Sequence, residues 1–164
     1  MKKLILVLLV LVVGLEGCAW PPLGMYAPQT NATVLDTLIL ELWSSHRSLN
    51  VNQSITMRLT VKNAGKETVV YDSKAKPVMD ISVGNVDNPA MRWSDGKPLT
   101  PEITRLELKP GESKVIEMAW KPGAEYDQKG ARISGQVWWC AEDRPCYNEV
   151  GLPLTIGFVF SPLP

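Results

Sequence analysis

The sequence has no surplus of charge of either sign, because 17 Lys and Arg side chains balance 17 Asp and Glu side chains. Proteins that hold nucleic acid or an anionic lipid surface electrostatically need a basic field, so neither partner is expected. Histidine is almost absent: the single His46 lies in a polar loop and is interpreted as a solvated turn residue. No Ser-His-Asp elbow, phosphate-binding glycine loop or metal-spaced carboxylate set occurs. We therefore predict no enzyme activity, no metal or other cofactor, and no small-molecule substrate.

Helical periodicity is also missing, and the 164 residues include 13 Pro, 12 Gly and six Trp but only two Phe. Apolar and polar residues instead alternate in short runs, as a half-buried strand requires. In the clearest run, residues 54–63, Ile55, Met57, Leu59 and Val61 share one face. Similar short runs cover residues 37–43, 67–71, 78–83, 91–93, 103–108 and 114–120. About nine strands without a crossover helix predict an all-β domain, an immunoglobulin-like antiparallel β-sandwich.

No apolar run near the N-terminus is long enough to span a bilayer, which takes about 20 residues. Lys2 and Lys3 precede an apolar stretch at 4–15, and residues 15–18 read Leu-Glu-Gly-Cys. This tetrad resembles the bacterial lipobox, which implies a lipoprotein signal peptide at 1–17 and lipidation of Cys18. Acyl chains on one residue anchor a protein without a spanning helix. We expect an extracytoplasmic protein that is lipid-anchored to a bacterial membrane.

The remaining chain divides into a tether and a domain. Residues 18–33 contain three prolines and no charge, which is typical of a semi-extended Pro-rich tether. Residues 34–164 are predicted to form the β-sandwich.

Only three cysteines are present, and with Cys18 lipidated, Cys140 and Cys146 remain as an even pair. Disulfides persist outside the cytoplasm, so we expect these two thiols to be bonded to each other. Three interpretations stay open: a structural staple, a redox-active pair, and a metal site, for which His46 would have to be a distant third ligand.

The cysteines bracket the tip of a predicted hairpin, in which residues 132–140 form one strand and residues 152–160 form the other. Period-two alternation places Trp139 toward the core and Trp138 on the more polar face with Cys140. Pro153 cannot donate to a ladder, so its end of the strand is expected at an edge or a bulge. The candidate binding surface consists of Trp138, Glu142, Asp143, Arg144 and Tyr147.

The middle of the chain, about residues 38–120, resembles the BsuPI type of intracellular proteinase inhibitor domain. The similarity lies in a strand Asp-Ile-Ser-Val at 80–83, a turn Arg-Trp-Ser-Asp-Gly at 92–96, a turn Lys-Pro-Gly-Glu at 109–112, and a strand closing at Trp120. This family implies an immunoglobulin-like fold and occurs in bacterial surface proteins and lipoproteins. The resemblance carries over no inhibitory residue.

The hairpin itself is similar to the active-site hairpin in the periplasmic N-terminal domain of the thiol:disulfide interchange protein DsbD. The shared features are Trp138-Trp-Cys140, five intervening residues, and Cys146-Tyr147. This resemblance implies a redox role for Cys140 and Cys146.

Two functions are therefore predicted. The first is a membrane-anchored extracytoplasmic lipoprotein that works as a non-catalytic protein-binding module, either proteinase-inhibitor-like or part of an envelope complex. The alternative is a thiol-disulfide exchange partner that uses Cys140 and Cys146.

Overall fold

The computed structural model describes residues 27–73, 75–84, 88–127, 129–138 and 148–156. These residues form one short helix, α1 (Pro101–Thr104), a 3₁₀ turn at Ala124–Tyr126, and a series of strands. The strands are β1 (Gln29–Leu35), β2 (Leu38–Ser44), β3 (Ser48–Leu49), β4 (Ile55–Asn63), β5 (Val69–Asp72), β6 (Met79–Gly84), β7 (Pro89–Arg92), β8 (Arg105–Leu108), β9 (Ser113–Trp120), β10 (Gly130–Val137) and β11 (Asn148–Ile156).

Two main sheets pack face to face. One has the order β1-β2-β4-β9, the other has the order β3-β11-β10-β6-β7, and β5 pairs separately with β8. All pairs are antiparallel except the short contact of β3 with β11. The orders β2-β4-β9 and β6-β10-β11 correspond to strands A-B-E and C-F-G of the immunoglobulin fold. The predicted all-β, immunoglobulin-like sandwich is confirmed.

Alternation along the strands explains the core. Leu38, Leu40 and Leu42 of β2 and the four apolar residues of β4 are fully buried, as the period-two pattern predicts. They face the inward residues of the second sheet, which include Ile81, Ile133, Val137, Leu152, Leu154 and Ile156. The hydrophobic burial that stabilises the fold therefore comes from alternate positions of the central strands.

Gly135 of β10 lies close to side chains of the opposite sheet. A Cβ atom at this position would lie 2.7 Å from Leu59 Cδ1 and 3.3 Å from Leu42 Cδ1. The absence of a side chain therefore lets β10 pack directly against the leucines of the opposite sheet.

The domain begins earlier than the sequence predicts. Gln29–Leu35 forms β1 and pairs along its length with β2, so the tether cannot extend to Thr33. The apolar alternation is weak here because β1 is an edge strand with an exposed face. The part of the predicted tether before residue 27, with Cys18 and the predicted signal peptide, lies outside the described residues.

Two local predictions meet the structure differently. Pro153 is expected at an edge or a bulge, and the structure agrees. It lies in the part of β11 that β3 does not cover, because β3 pairs only with Thr155 and Ile156. The strand predicted at 103–108 is confirmed over its last four residues, which form β8 (Arg105–Leu108), whereas residues 103 and 104 belong to α1. Pro101 begins that helix, a position where a missing N–H costs nothing.

Within the described ranges no helix has the length and apolar character needed to cross a bilayer.

Candidate functional site

Trp138 is the one member of the predicted binding surface that the structure describes. It directly follows β10, its N–H donates to Val78 O at 2.9 Å, and its side chain is half-buried. The ammonium group of Lys76 lies 4.4 Å from the centre of the Trp138 ring, a cation–π distance. Trp138 therefore belongs to the same end of the five-stranded sheet as the loop that leads into β6.

The other predicted site residues lie outside the described residues. These are the lipidation site Cys18, the pair Cys140 and Cys146, and the tip residues Glu142, Asp143, Arg144 and Tyr147. The placement of Trp139 in the core is likewise untested. The disulfide and its three interpretations stay predictions.

A row of polar residues crosses the outer face of the five-stranded sheet beside Trp138. Asp80 of β6 pairs with Gln136 of β10, which pairs with Glu149 of β11. These residues alternate with the core residues of their strands, so they point away from the core. Because Gln136 precedes Trp138 by two residues, their side chains leave the same face, about 7 Å apart along the strand.

Asp80 is the centre of this face, and its side chain is buried. Its Oδ2 accepts a bond from Ser94 Oγ at 2.8 Å, and its Oδ1 accepts bonds from Ser94 N at 3.1 Å and Ile81 N at 3.0 Å. Burial raises the pKa of Asp80, while the bonds from Ser94 and Ile81 and the nearby Arg92 guanidinium, 3.9 Å away, act in the opposite direction. Both carboxylate oxygens are thus satisfied, as a buried acid requires.

Asp80 anchors the turn at residues 92–97, which follows β7. Asp95 Oδ2 accepts a bond from Arg92 N at 2.7 Å, and Lys97 N donates to Ser94 O at 3.0 Å. Gly96 has φ +73°, a left-handed conformation that glycine adopts without strain. We call this segment the Asp80-anchored turn.

The turn presents a second tryptophan with a cation over its ring. Trp93 N donates to Ile81 O at 2.8 Å, and the half-buried ring packs against the core. The ammonium of Lys97 lies 3.3 Å from the ring centre, and partial burial lowers the pKa of Lys97. Another tryptophan, Trp120 at the end of β9, is buried and stacks edge-on against Tyr126.

Hydrogen bonds link the turn to the rest of the outer face. Arg92 Nη1 donates to Gln136 Oε1 at 3.5 Å, and Gln136 Nε2 donates to Ser82 Oγ at 3.4 Å. Toward β11, Glu149 accepts bonds from Ser134 and from Arg132, whose Nη2 lies 2.9 Å away. This face therefore carries two hydrogen-bonded groups of polar side chains, one across β7, β6 and β10 and one across β10 and β11, and hydrogen-bonded groups of this kind favour rigidity.

The described residues offer little for catalysis. No three His, Cys, Asp or Glu side chains come close enough among them to hold a metal ion. His46 Nδ1 bonds to Ser45 Oγ at 2.8 Å, and no carboxylate of the described residues is bonded to the ring. A cleft of about 490 Å³ lies at the opposite end of the sheet, and its described lining includes Tyr126, Lys129 and Arg132.

Sequence reasoning did not identify Asp80 as an anchor. The available signal was an acid inside the apolar run at residues 78–83, because an unpaired carboxylate is costly to bury there. The position of Lys76 over Trp138 depends on tertiary structure, and that of Lys97 over Trp93 depends on the conformation of the turn that joins them.

Comparison with protein families gives a match that covers more than half of the chain. Residues 43–136 match the family described as BsuPI, intracellular proteinase inhibitor. This range contains the Asp80-anchored turn and ends at Gln136, two residues before Trp138. No curated protein sequence matches the chain.

Several solved structures are similar at low identity. The CARDB domain of PF1109 from Pyrococcus furiosus is 17% identical, with a TM-score of 0.42 over 79% of this chain and 94% of that one. The C-terminal domain of wzt is 12% identical, with a TM-score of 0.45 over 83% of each chain. A β-glucosidase from Listeria innocua is 10% identical, with a TM-score of 0.36, and the match covers 78% of this chain but 16% of the enzyme. Similarities this distant carry no argument about function.

Proposed function

Because the chain belongs to the family of the intracellular proteinase inhibitor BsuPI, we propose that it is a non-catalytic module that binds a proteinase. The binding surface in this proposal consists of Trp138, Lys76 and the Asp80-anchored turn. The family match supports an inhibitor-like role in general, and the assignment of the surface rests on the geometry beside Trp138.

The observation that carries the proposal is the fixed position of the turn. Asp80 holds Ser94 through both its amide and its hydroxyl, and Arg92 reaches Gln136 on the neighbouring strand. A loop that is already ordered loses little conformational entropy when it binds. Trp and Arg are also the side chains that most often dominate binding energy at interfaces.

The location is a separate part of the proposal. We propose that Cys18 carries a lipid anchor that holds the domain at the outer side of a bacterial membrane. Support comes from the residues at 2–18: two lysines, an apolar stretch and the Leu-Glu-Gly-Cys tetrad. Metabolic labelling with a radioactive fatty acid tests it, since Cys18→Ser should abolish label incorporation and release the protein from membranes. Equal labelling of both proteins would refute lipidation at this residue.

The alternative of thiol-disulfide exchange stays a prediction, because Cys140 and Cys146 lie outside the described residues. It is tested by the reduction potential of the pair. A value below about −300 mV marks a structural bond, and a higher value together with exchange with a thioredoxin-like protein would favour the redox role.

The inhibitory role is tested with the purified full-length chain in a mild detergent. One serine, one cysteine, one aspartic and one metallo-proteinase are titrated with the chain, and the hydrolysis rate of a peptide substrate is recorded. We expect saturable inhibition of at least one class, with the chain recovered uncleaved. Unchanged rates for all four classes at high micromolar concentration would contradict the proposal.

A further inference from the structure

Leu99 is exposed in the loop between the Asp80-anchored turn and α1. Its exposed fraction is 52%, and Pro98 before it is exposed as well. The other large apolar residues of the described chain that are exposed lie within strands: Val34, Val70, Met91 and Val115. A single exposed apolar residue is ordinary on a protein surface, so the meaning of Leu99 depends on the backbone that holds it.

The backbone around Leu99 forms a three-residue turn. Thr100 N donates to Pro98 O at 2.9 Å, which is the hydrogen bond of a γ-turn. Leu99 does not have a positive φ, so the turn is of the common inverse form. In this form the side chain of the central residue points away from the ring that the hydrogen bond closes. Leu99 therefore stands at the apex of the loop.

The Asp80-anchored turn fixes the N-terminal side of this loop. Lys97 N donates to Ser94 O at 3.0 Å, and Ser94 is bonded twice to the buried Asp80. Pro98 fixes its own φ at about −65° and restricts Lys97 to extended conformations. The segment that leads into the loop therefore has little conformational freedom.

The helix α1 fixes the C-terminal side of the loop. Thr100 O accepts bonds from Ile103 N and Thr104 N, both at 2.9 Å, and from Thr104 Oγ1 at 3.1 Å. Pro101 restricts Thr100 to extended conformations, and Thr100 has ψ 164°. A loop that is fixed at both ends loses little conformational entropy when it binds.

The loop adjoins the proposed binding surface. Val78 N donates to Ile103 O at 2.8 Å, and Val78 O accepts a bond from Trp138 N at 2.9 Å. One residue thus connects α1 to Trp138, and the Asp80-anchored turn leads directly into the loop. Leu99 therefore lies at the end of the molecule that carries the proposed binding surface.

We propose that Leu99 enters an apolar substrate pocket of the bound proteinase. This inference rests on the proposed function and assigns the residue that occupies the active site of the partner. Pockets for small groups are concave and lined mainly by apolar side chains. An apolar side chain at the apex of an ordered loop has the shape and the chemistry that such a pocket accepts. A filled substrate pocket excludes the substrate, which accounts for inhibition without catalysis.

The same turn protects the chain from cleavage beside Leu99. Peptides that pair with the edge of a binding site are extended, whereas the bond between Leu99 and Thr100 lies within the γ-turn. The Thr100 N–H is already used by Pro98 O, and Pro101 has no N–H to donate. We therefore expect Leu99 to occupy the pocket while the bond that follows it stays intact.

The first test measures inhibition constants of the full-length chain in a mild detergent. Chymotrypsin, papain, pepsin and thermolysin represent the four proteinase classes, and each has an apolar substrate pocket. For the enzyme that the chain inhibits best, Leu99→Ala should weaken inhibition at least about tenfold, because the pocket loses its contacts with the end of the leucine side chain. Leu99→Asp should weaken it further, since a carboxylate is costly to place in an apolar pocket.

Val115→Ala is the matched control. Val115 is 50% exposed but lies on β9 of the other sheet, so its truncation should leave the inhibition constant unchanged. Both side chains are exposed, and the circular dichroism spectra of all variants should therefore equal that of the wild type.

The second test shows where Leu99 binds. Isothermal titration calorimetry follows binding of the chain to the inhibited proteinase before and after a small reversible inhibitor fills its substrate pocket. We expect the filled pocket to prevent binding. Binding that is unchanged with the pocket filled would overturn the inference.

The outcomes separate this inference from the proposed function. Inhibition that Trp138→Ala weakens but folded Leu99→Asp does not would leave the proposed function standing and overturn the role of Leu99. An equal loss in Leu99→Ala and Val115→Ala would overturn that role as well. Unchanged activity of all four enzymes would overturn the proposed function and this inference with it.

Discussion

Asp80 holds Ser94 at two points, since its carboxylate accepts a bond from the Ser94 hydroxyl at 2.8 Å and another from the Ser94 amide at 3.1 Å. This contact joins β6 to the turn that follows β7. The same turn carries Trp93 and Arg92 at the end of the sheet where Trp138 lies. The position of the turn in the proposed binding surface therefore depends on the contact between Asp80 and Ser94.

Replacing Asp80 with alanine should therefore destabilise the protein. The substitution leaves the Ser94 groups without their partner, and the loss of such a bond costs about 1–3 kcal/mol. Asp80→Asn should cost less, because the amide oxygen can still accept from Ser94 N and Ile81 N. Urea unfolding followed by tryptophan fluorescence measures both free energies. Equal stability of wild type and Asp80→Ala would show that the contact does not hold the turn.

The stability should also depend on pH through Asp80. Burial raises its pKa in the folded protein, so between the unfolded and the folded pKa the native state binds more protons than the unfolded state. The contribution of Asp80 to stability therefore increases as pH falls through that window and decreases as pH rises. Unfolding free energies measured from about pH 7 to about pH 4 should include this pH-dependent contribution in the wild type. The Asp80→Asn variant should lack it. Identical pH profiles would contradict the raised pKa.

Adding a methyl group at Gly135 should disturb the contact between the sheets. The new Cβ of Gly135→Ala would lie 2.7 Å from Leu59 Cδ1, and overpacking of this kind costs about 1–3 kcal/mol. Gly130→Ala on the same strand is the matched control, because its nearest neighbour would be 4.0 Å away. Thermal unfolding should show a lower midpoint for Gly135→Ala only. A similar midpoint for both variants would mean that the sheets are less closely packed at Gly135.

The side chain of Gln29 should stabilise the contact between β1 and β11, which belong to different sheets. Its side chain is buried and donates to Pro153 O at 2.8 Å, so Gln29→Ala should lower the free energy of unfolding by about 1 kcal/mol. The exposed neighbour Thr30 provides the control, and Thr30→Ala should change little. Urea unfolding compares the two, and an unaffected Gln29→Ala would show that this bond does not stabilise the edge.

Much of the fold was predictable from the sequence because the central strands alternate strictly. Ile55, Met57, Leu59 and Val61 are buried as the pattern indicates. β1 was missed because an edge strand with polar residues on its exposed face leaves little apolar signal. The helix α1 was missed because four residues are too few to show a helical period.

The candidate site was less predictable, because its contacts join residues distant in sequence. Asp80 and Ser94 are separated by 14 positions, and Arg92 and Gln136 by 44. Trp138 could be assigned to the polar face from parity alone. The anchored turn beside it could not, since strand order and register must be known before these side chains can be brought together.

The most direct test of the binding surface is the dissociation constant of the complex between the chain and the proteinase that it inhibits best. Trp138→Ala is compared with Trp43→Ala, since Trp43 is also half-buried and has a cation, Arg58, 5.3 Å from its ring, but lies on the other sheet. We predict at least tenfold weaker binding for Trp138→Ala, which corresponds to about 1.4 kcal/mol, and no change for Trp43→Ala. Equal affinities for wild type and folded Trp138→Ala, or an equal loss in both variants, would contradict the account.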